Sequence, residues 1–286
     1  MSLNLKHRMA DYIAAFIVLI AVFICLVPFL YILSQSLSSN RAIISQAVTI
    51  YPIDFNIEAY KVVLGDTSML FSLFYTVILA AVFVLLALIV TILAAYPLTK
   101  KRLKGRNALL LMMLFTMYFS GGLIPDYLNV KNLSLLNTPW ALVLPGMMSV
   151  YYMIILKSFF QSIPESLEEA AHLDGCNELQ ILLKIVLPLS KPALATISLL
   201  YAVFRWNYFQ DALFYITDQN LYTIQLKLYN VINISQQMSG ENVNVNLPSE
   251  ALKAASIMFG TVPILLVYPW LQKYFVSGIM IGAVKG

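Results

Sequence analysis

Ser162–Leu194 reads SIPESLEEAAHLDGCNELQILLKIVLPLSKPAL, and it interrupts a chain that is otherwise a series of apolar runs. Five acidic residues fall between Glu165 and Glu178, followed by Ile185-Val186-Leu187-Pro188. Pro164 and the acids after it suit a helix start, because carboxylates in a first turn meet the positive end of the helix dipole. Leu167, Ala170, Ala171 and Asp174 recur at three- and four-residue spacings and share one side of that helix. Gly175 then permits a backbone turn. A second run, Glu178 to Leu187, is apolar enough to lie against a membrane surface, with Pro188 ending it. Two short helices bent at a glycine suit a docking element; the alternative is an amphipathic connector that touches only lipid. The acids favour docking, since anionic lipid would repel them.

Composition sets the surroundings of this segment. Of 286 residues, 60% are hydrophobic and 11% charged, against roughly 45–50% and about 25% in soluble domains. The expectation is an all-α integral membrane protein. Six spans of about 20 residues can be placed, at roughly 12–34, 69–97, 108–126, 138–158, 192–214 and 252–274. The third ends in a Gly-Gly turn, and Gly260, Pro263 and Pro269 predict kinks in the sixth. The first span follows Lys6, His7 and Arg8 and is too long for a cleaved leader, so it reads as a retained signal-anchor.

Basic residues orient the spans. Lys100, Lys101, Arg102, Lys104 and Arg106 follow the second, Lys157, Lys184 and Lys191 bracket the acidic segment, and Lys273 and Lys285 follow the last. With six crossings all face one side, the cytoplasm, together with both termini. The expected organisation is a cytoplasmic N-terminus and first span (1–34), an extracytoplasmic loop (35–68), a core (69–274) and a cytoplasmic tail (275–286). The core contains a cytoplasmic segment, 162–188, and an extracytoplasmic loop, 215–251. That loop is polar, and it reads either as disordered or as a docking site for a soluble partner. No basic, aromatic-interleaved patch suggests nucleic acid. Cys25 and Cys176 form no metal-ligand pattern, and no metal or cofactor is expected.

Glu169-Ala170-Ala171, Gly175 after three residues, and Ile185, Leu187 and Pro188 after nine more resemble the motif of ABC importer permeases, spacing unbroken. Asp174 fits the sugar-type members, and Cys176 stands where those commonly carry alanine. WNYFQDAL from Trp206, GGLIPDYLNVKNLSLLNTPWALVLP from Gly121 and YFVSGIMIGAVKG from Tyr274 look like the carbohydrate-uptake branch, especially its oligosaccharide members. The chain is similar to the smaller subunit of maltose-type permeases over its whole length. The resemblance implies a type I importer permease fold whose Ser162–Pro188 segment couples to a cytoplasmic ATPase, present in two copies. It also implies a second homologous permease, an extracytoplasmic sugar-binding protein, a bacterial cytoplasmic membrane, and inward movement of an oligosaccharide by alternating access. No G-x-x-x-x-G-K-[ST] loop is present, so ATP would be bound by another chain.

Polar residues inside spans need a reason. Asn207, Gln210 and Asp211 share a face of the fifth span, with Arg205 pointing elsewhere. That face either lines a substrate pathway or lies near the outer end of the span, where water lowers the cost. Tyr151 and Tyr152 are further candidate lining residues. His172 has no nucleophile or ligand set beside it and reads as surface packing against a partner. An autonomous secondary carrier would show inverted repeats and a mid-depth ion site, and a membrane enzyme a catalytic cluster. Neither pattern is evident.

Overall fold

A computed structural model describes residues 2–237 and 250–283, and side chains for 12–233 and 250–266. Every described regular element is helical. In chain order they are α1 (Ser2–Ser36), α2 (Asn40–Ile44), α3 (Glu58–Gly65), α4 (Thr67–Ala95), α5 (Arg106–Tyr118), α6 (Leu123–Asn132) and α7 (Trp140–Val143). There follow α8 (Val150–Gln161), α9 (Glu165–Leu173), α10 (Glu178–Leu189), α11 (Lys191–Asn207), α12 (Gln210–Tyr215), α13 (Ile224–Gln237) and α14 (Glu250–Ala283).

The chain divides into two compact units, one of residues 1–70 and 227–263, the other of 71–226 and 264–286. In the first, the segment after α1 is folded back onto the helix end rather than hanging free. Ser34 Oγ donates to the Ile50 carbonyl, Ser38 Oγ accepts from Ile53 N at 3.0 Å, and Asn56 N donates to the Leu37 carbonyl at 2.9 Å. Ser39 caps α2, since its hydroxyl accepts from Ala42 N at 3.2 Å and so satisfies an orphan donor. Ala42, Ile43, Val48 and Ala251 make a small core. Residues 35–68, expected as a loop, therefore contain helices, and residues 224–237 of the expected 215–251 loop are helix α13. The rest of the polar stretch, 238–249, lies outside the described residues, as do 284–286 of the expected tail.

The second unit holds the main core, built on α4, α8, α10 and α11. Phe83, Ala87, Met153, Leu156, Ile181 and Ile197 are fully buried there. Tyr201 sits at its centre. Its hydroxyl shares a 2.7 Å hydrogen bond with Thr91 and accepts from Ser149 N at 3.1 Å, and Tyr152 packs edge-on against its ring. One phenol thus ties α4, the start of α8 and α11 in an apolar interior, where an unpaired polar group is costly.

Two of the six expected crossings are long, apolar, continuous helices, Tyr12–Ser36 and Thr67–Thr99; counting each of two sharply bent pairs as one span brings the total to four. The third expected span is broken. α5 has 13 residues, so it reaches only about 20 Å at 1.5 Å per residue. It turns by 113° into α6 through Ser120-Gly121-Gly122, where Gly122 takes φ +89°. The fourth, 138–158, is split into α7 and α8 by a non-helical stretch containing Pro145 and Gly146. The fifth stops at Asn207 and resumes at Gln210. α14, by contrast, is one continuous helix through Gly260, Pro263 and Pro269.

Tyr201→Phe is expected to lower stability by about 1–3 kcal/mol, the cost of leaving buried partners unpaired. Thermal unfolding of the purified protein in detergent measures it; no change would show that Thr91 and Ser149 find other partners.

Candidate functional site

The site is the elbow formed by α9 and α10. Pro164 is the residue before the first helical position, and Glu165 and Glu168 occupy the first turn. At the other end, Cys176 N donates to the Ala171 carbonyl at 2.9 Å and Gly175 N to the His172 carbonyl at 3.0 Å. These are the two bonds of a Schellman stop, with Ala171 three residues before the cap and Gly175 just after it. The four-residue spacing from the second alanine to the glycine therefore has a geometric meaning. Gly175 takes φ +80°, and open space surrounds the place where a Cβ would stand, so conformation rather than crowding demands glycine.

Asn177 then caps α10 through a reciprocal pair of bonds with Gln180, both 2.9 Å. Sequence reasoning placed this second run on the membrane surface and ended it at Pro188; the structure corrects both points. Ile181, Leu182 and Val186 are buried in the main core, and the helix runs on to Leu189. Leu182–Val186 is a π-helical turn directly before Pro188. In a regular α-helix the proline ring would meet the carbonyl four residues earlier; the widened turn accommodates it.

The acidic residues are held by the chain itself. Lys100 pairs with Glu168, Arg102 with Glu178, and Lys101 with Glu165 at 3.2 Å. Glu178 also accepts from Tyr96 Oη at 2.9 Å and lies 3.3 Å from His172 Nε2. The Lys100 ammonium lies over the Tyr96 ring at 4.4 Å. Lys101–Glu165 is solvent-exposed and worth about 0–1 kcal/mol, so the half-buried Lys100–Glu168 contact is the stronger tie. Together these groups wall a cleft of about 360 Å³. The basic connector, read from sequence only as an orientation signal, is thus half of the site. The clue was available: three consecutive cations and five carboxylates on the same expected side.

Each expected coupling residue has a definite place. Glu169 and Ala170 face outward, Ala171 faces the core, and Asp174 is the exposed C-cap of α9. Ile185 and Leu187 are half-buried against the core, and Pro188 is exposed. Among the described residues, no hydrogen bond or ion pair engages the Glu169 carboxylate. Leu173, which sequence reasoning passed over, is 89% exposed one turn further along the Glu169–Ala170 face.

The single helix face expected of Asn207, Gln210 and Asp211 does not form. The break at Tyr208 and Phe209 rotates α12 relative to α11, and Asp211 folds back onto Arg205. Arg205 Nη1 lies 2.5 Å from Asp211 Oδ2 and Nη2 lies 3.0 Å from Oδ1, while the same two nitrogens donate to the Leu142 and Tyr208 carbonyls, each at 2.7 Å. The guanidinium is 2% exposed, so the pair is interior rather than at a watery rim. Asn207 instead donates to the Val203 carbonyl of its own helix at 2.9 Å, and Gln210 is exposed. Tyr151 is exposed and Tyr152 packs on Tyr201.

Gly175→Ala is expected to cost about 1–2 kcal/mol, the penalty of a left-handed conformation at a Cβ-bearing residue, with Gly175→Asn milder. Amide exchange across α9 reads the difference. Asp211→Asn is expected to cost about 3–5 kcal/mol, because it strands a buried guanidinium; denaturant unfolding in detergent checks that figure.

Comparison with known proteins bears on the whole chain. The profile of the family described as binding-protein-dependent transport system inner membrane component matches residues 106–281. The polygalacturonan/rhamnogalacturonan transport system permease protein YtcP of Bacillus subtilis (strain 168) is 41% identical over 290 residues, covering 99% of this chain and 100% of that protein. Protein LplC of the same organism is 43% identical over 266 residues, 92% of this chain and 90% of that one. A crystal structure of a bacterial ABC transporter involved in the import of the acidic polysaccharide alginate contains a chain that superposes with TM-score 0.82 at 34% identity, over 94% of this chain and 97% of that one. Permeases of this family are non-catalytic, and membership implies an ABC ATPase and a substrate-binding protein as partners. With the motif intact, the fold shared and the family profile matched, this chain belongs to the binding-protein-dependent inner-membrane components, as a permease of the carbohydrate-uptake ABC importers.

Proposed function

We propose that this chain is one half of the membrane pore of an ATP-driven importer, that it moves an oligosaccharide inward by alternating access, and that α9 is the part a cytoplasmic ATPase grips. The carrying observation is the asymmetry of α9. Its inner side is tied down by Ala171, the Glu168 pair and the Schellman stop, whereas its outer side presents Glu169, Ala170 and Leu173, exposed and, among the described residues, without a side-chain hydrogen bond or ion pair. Seating the 89% exposed Leu173 in a partner groove would remove its apolar side chain from solvent, which is favourable.

Two ATPase copies, a second homologous permease and an extracytoplasmic sugar-binding protein complete the assembly. Glu169, Ala170, Ala171, Asp174, Gly175, Ile185, Leu187 and Pro188 form the coupling segment, the first residues at its surface and the last three as its root. The chain crosses the bacterial cytoplasmic membrane six times with both termini inside, the broken helices counting as crossings. Segments 1–34, 35–68, 69–274 and 275–286 keep the roles expected of them. Support for the broken crossings comes from physics: irregular backbone such as Phe119–Gly122 persists at membrane depth only against protein or water, which a second permease or a pathway supplies. Tyr151, Asn207 and Gln210, exposed on this chain, are the pathway residues most open to substrate; Tyr152 and Asp211 take part through the residues they pack against. An oligosaccharide substrate is supported by relatives whose names specify polygalacturonan, rhamnogalacturonan and alginate.

The test is a mild-detergent pull-down of the chain from its native membranes with every co-purifying protein identified. An ATPase, a second permease and a sugar-binding protein are expected. Burying a leucine side chain contributes about 1.5–3 kcal/mol, so Leu173→Ala is expected to weaken ATPase retention roughly tenfold or more while the second permease stays. Gly175→Asp is expected to release the ATPase altogether. Recovery of the chain alone, under conditions that preserve other importers, would overturn the subunit reading.

A further inference from the structure

A second cleft, of about 470 Å³, opens in the unit of residues 71–226 and 264–286, beside the break that ends α11 and the start of α6. Its size falls within the roughly 300–1,000 Å³ of small-molecule sites. One wall is aliphatic, with Val130, Leu133, Leu144 and Pro145; the other carries Asp126, Asn129, Tyr208 and Tyr215. Asp126 and Asn129 are three residues apart on α6 and therefore project from the same side. Among the described residues neither the Asp126 carboxylate nor the Asn129 amide has a hydrogen-bond or ion-pair partner. They are a free acceptor and a free donor–acceptor aimed into one space.

The aromatic side is rigid. Phe204 and Tyr208 stack with ring centres 5.1 Å apart, and Tyr215 packs against Tyr127 at 6.2 Å. The backbone of Tyr208 is pinned by Arg205 Nη2 at 2.7 Å, so the ion pair with Asp211 serves as scaffold for the cleft and leaves no net charge of its own. The charge that remains is the Asp126 carboxylate.

We propose that this cleft is a subsite for one uncharged, hydroxyl-rich sugar ring of the transported oligosaccharide. The proposal rests on the importer reading above and adds a place of contact on this subunit. A pyranose has an apolar C–H face that fits an aliphatic or aromatic wall and a rim of hydroxyls that donate to a carboxylate and exchange bonds with an amide. A lipid chain would leave Asp126 and Asn129 unsatisfied. A uronate ring would bring a second carboxylate against Asp126, so the cleft suits the neutral ring of a mixed oligosaccharide, as in a fragment of the rhamnogalacturonan kind, and not a chain made of uronates alone.

The experiment uses the complete importer reconstituted in proteoliposomes, with Leu135→Cys, which lines the cleft without being one of its polar contacts, in a Cys25→Ser, Cys176→Ala background. A hydrophilic thiol reagent labels position 135, the site being read by peptide mass spectrometry, with and without ATP. Raffinose is the neutral probe and trigalacturonate the acidic one. Raffinose is expected to slow labelling of the cysteine at 135, trigalacturonate to leave it unchanged, and added Asp126→Ala to weaken raffinose protection roughly tenfold or more, the loss expected of a hydrogen bond to a charged group. Protection by neither sugar in complexes that still take up substrate overturns the subsite. Stronger protection by trigalacturonate overturns its preference for an uncharged ring. Absence of ATP-dependent uptake by the unmutated importer, with raffinose protection retained, counts against the importer reading and leaves the cleft standing.

Discussion

The structure depends on one electrostatic arrangement: three consecutive cations after α4 meeting the carboxylates of α9 and α10. Without it, α9 would be a nine-residue helix of low apolar content, far too short to persist unaided. With Lys100 on Glu168 and Arg102 on Glu178, the helix becomes an extension of α4. The core side then needs to supply little, which is why a single small residue, Ala171, suffices as its inward contact. It also explains how so acidic a segment coexists with a membrane whose lipids would repel it: three of its five carboxylates are paired within the chain, and Glu169 and Asp174 are the two left facing outward.

A second arrangement repeats this logic deeper in the chain. Arg205 is almost fully buried, yet four of its hydrogen bonds are satisfied by Asp211 and two carbonyls. Those partners exist only because the helix stops at Asn207. Had α11 continued, Asp211 would lie six residues further along the helix and on another side, and the Tyr208 carbonyl would belong to the helix ladder. The break and the charge therefore require each other. The Tyr201 hydroxyl does the same work among α4, α8 and α11 with neutral groups.

Much of this was legible in the sequence. The helical class, the first two spans, the elbow and its glycine follow from apolar runs of sufficient length and from a motif of unbroken spacing. The stop at Gly175 was readable because capping is local, but Leu167, Ala170, Ala171 and Asp174, expected on one side of α9, divide: Ala171 is buried and the other three are exposed. The failures share a cause. The split fourth span, the stop at Asn207 and the π turn before Pro188 arise where long-range partners outweigh local preference, and apolar periodicity carries no trace of those partners. Arg205 and Asp211, six apart, read as opposite faces only under the assumption of a continuous helix. The ties between Lys100–Arg102 and the acids, and the exposure of Leu173, required knowing which distant segments meet.

The bend between α10 and α11 has a mechanical consequence. The two helices meet at 81° around Ser190, which is buried and hydrogen-bonded back to Val186 and Leu187, so the corner is stiff. α11 is 17 residues long, about 25 Å at 1.5 Å per residue, and ends at the Arg205–Asp211 lock. With a stiff corner, a sideways displacement of α10 would act on α11 as on one arm of a bell crank, and the far tip of that arm carries Tyr208 beside the Arg205–Asp211 lock.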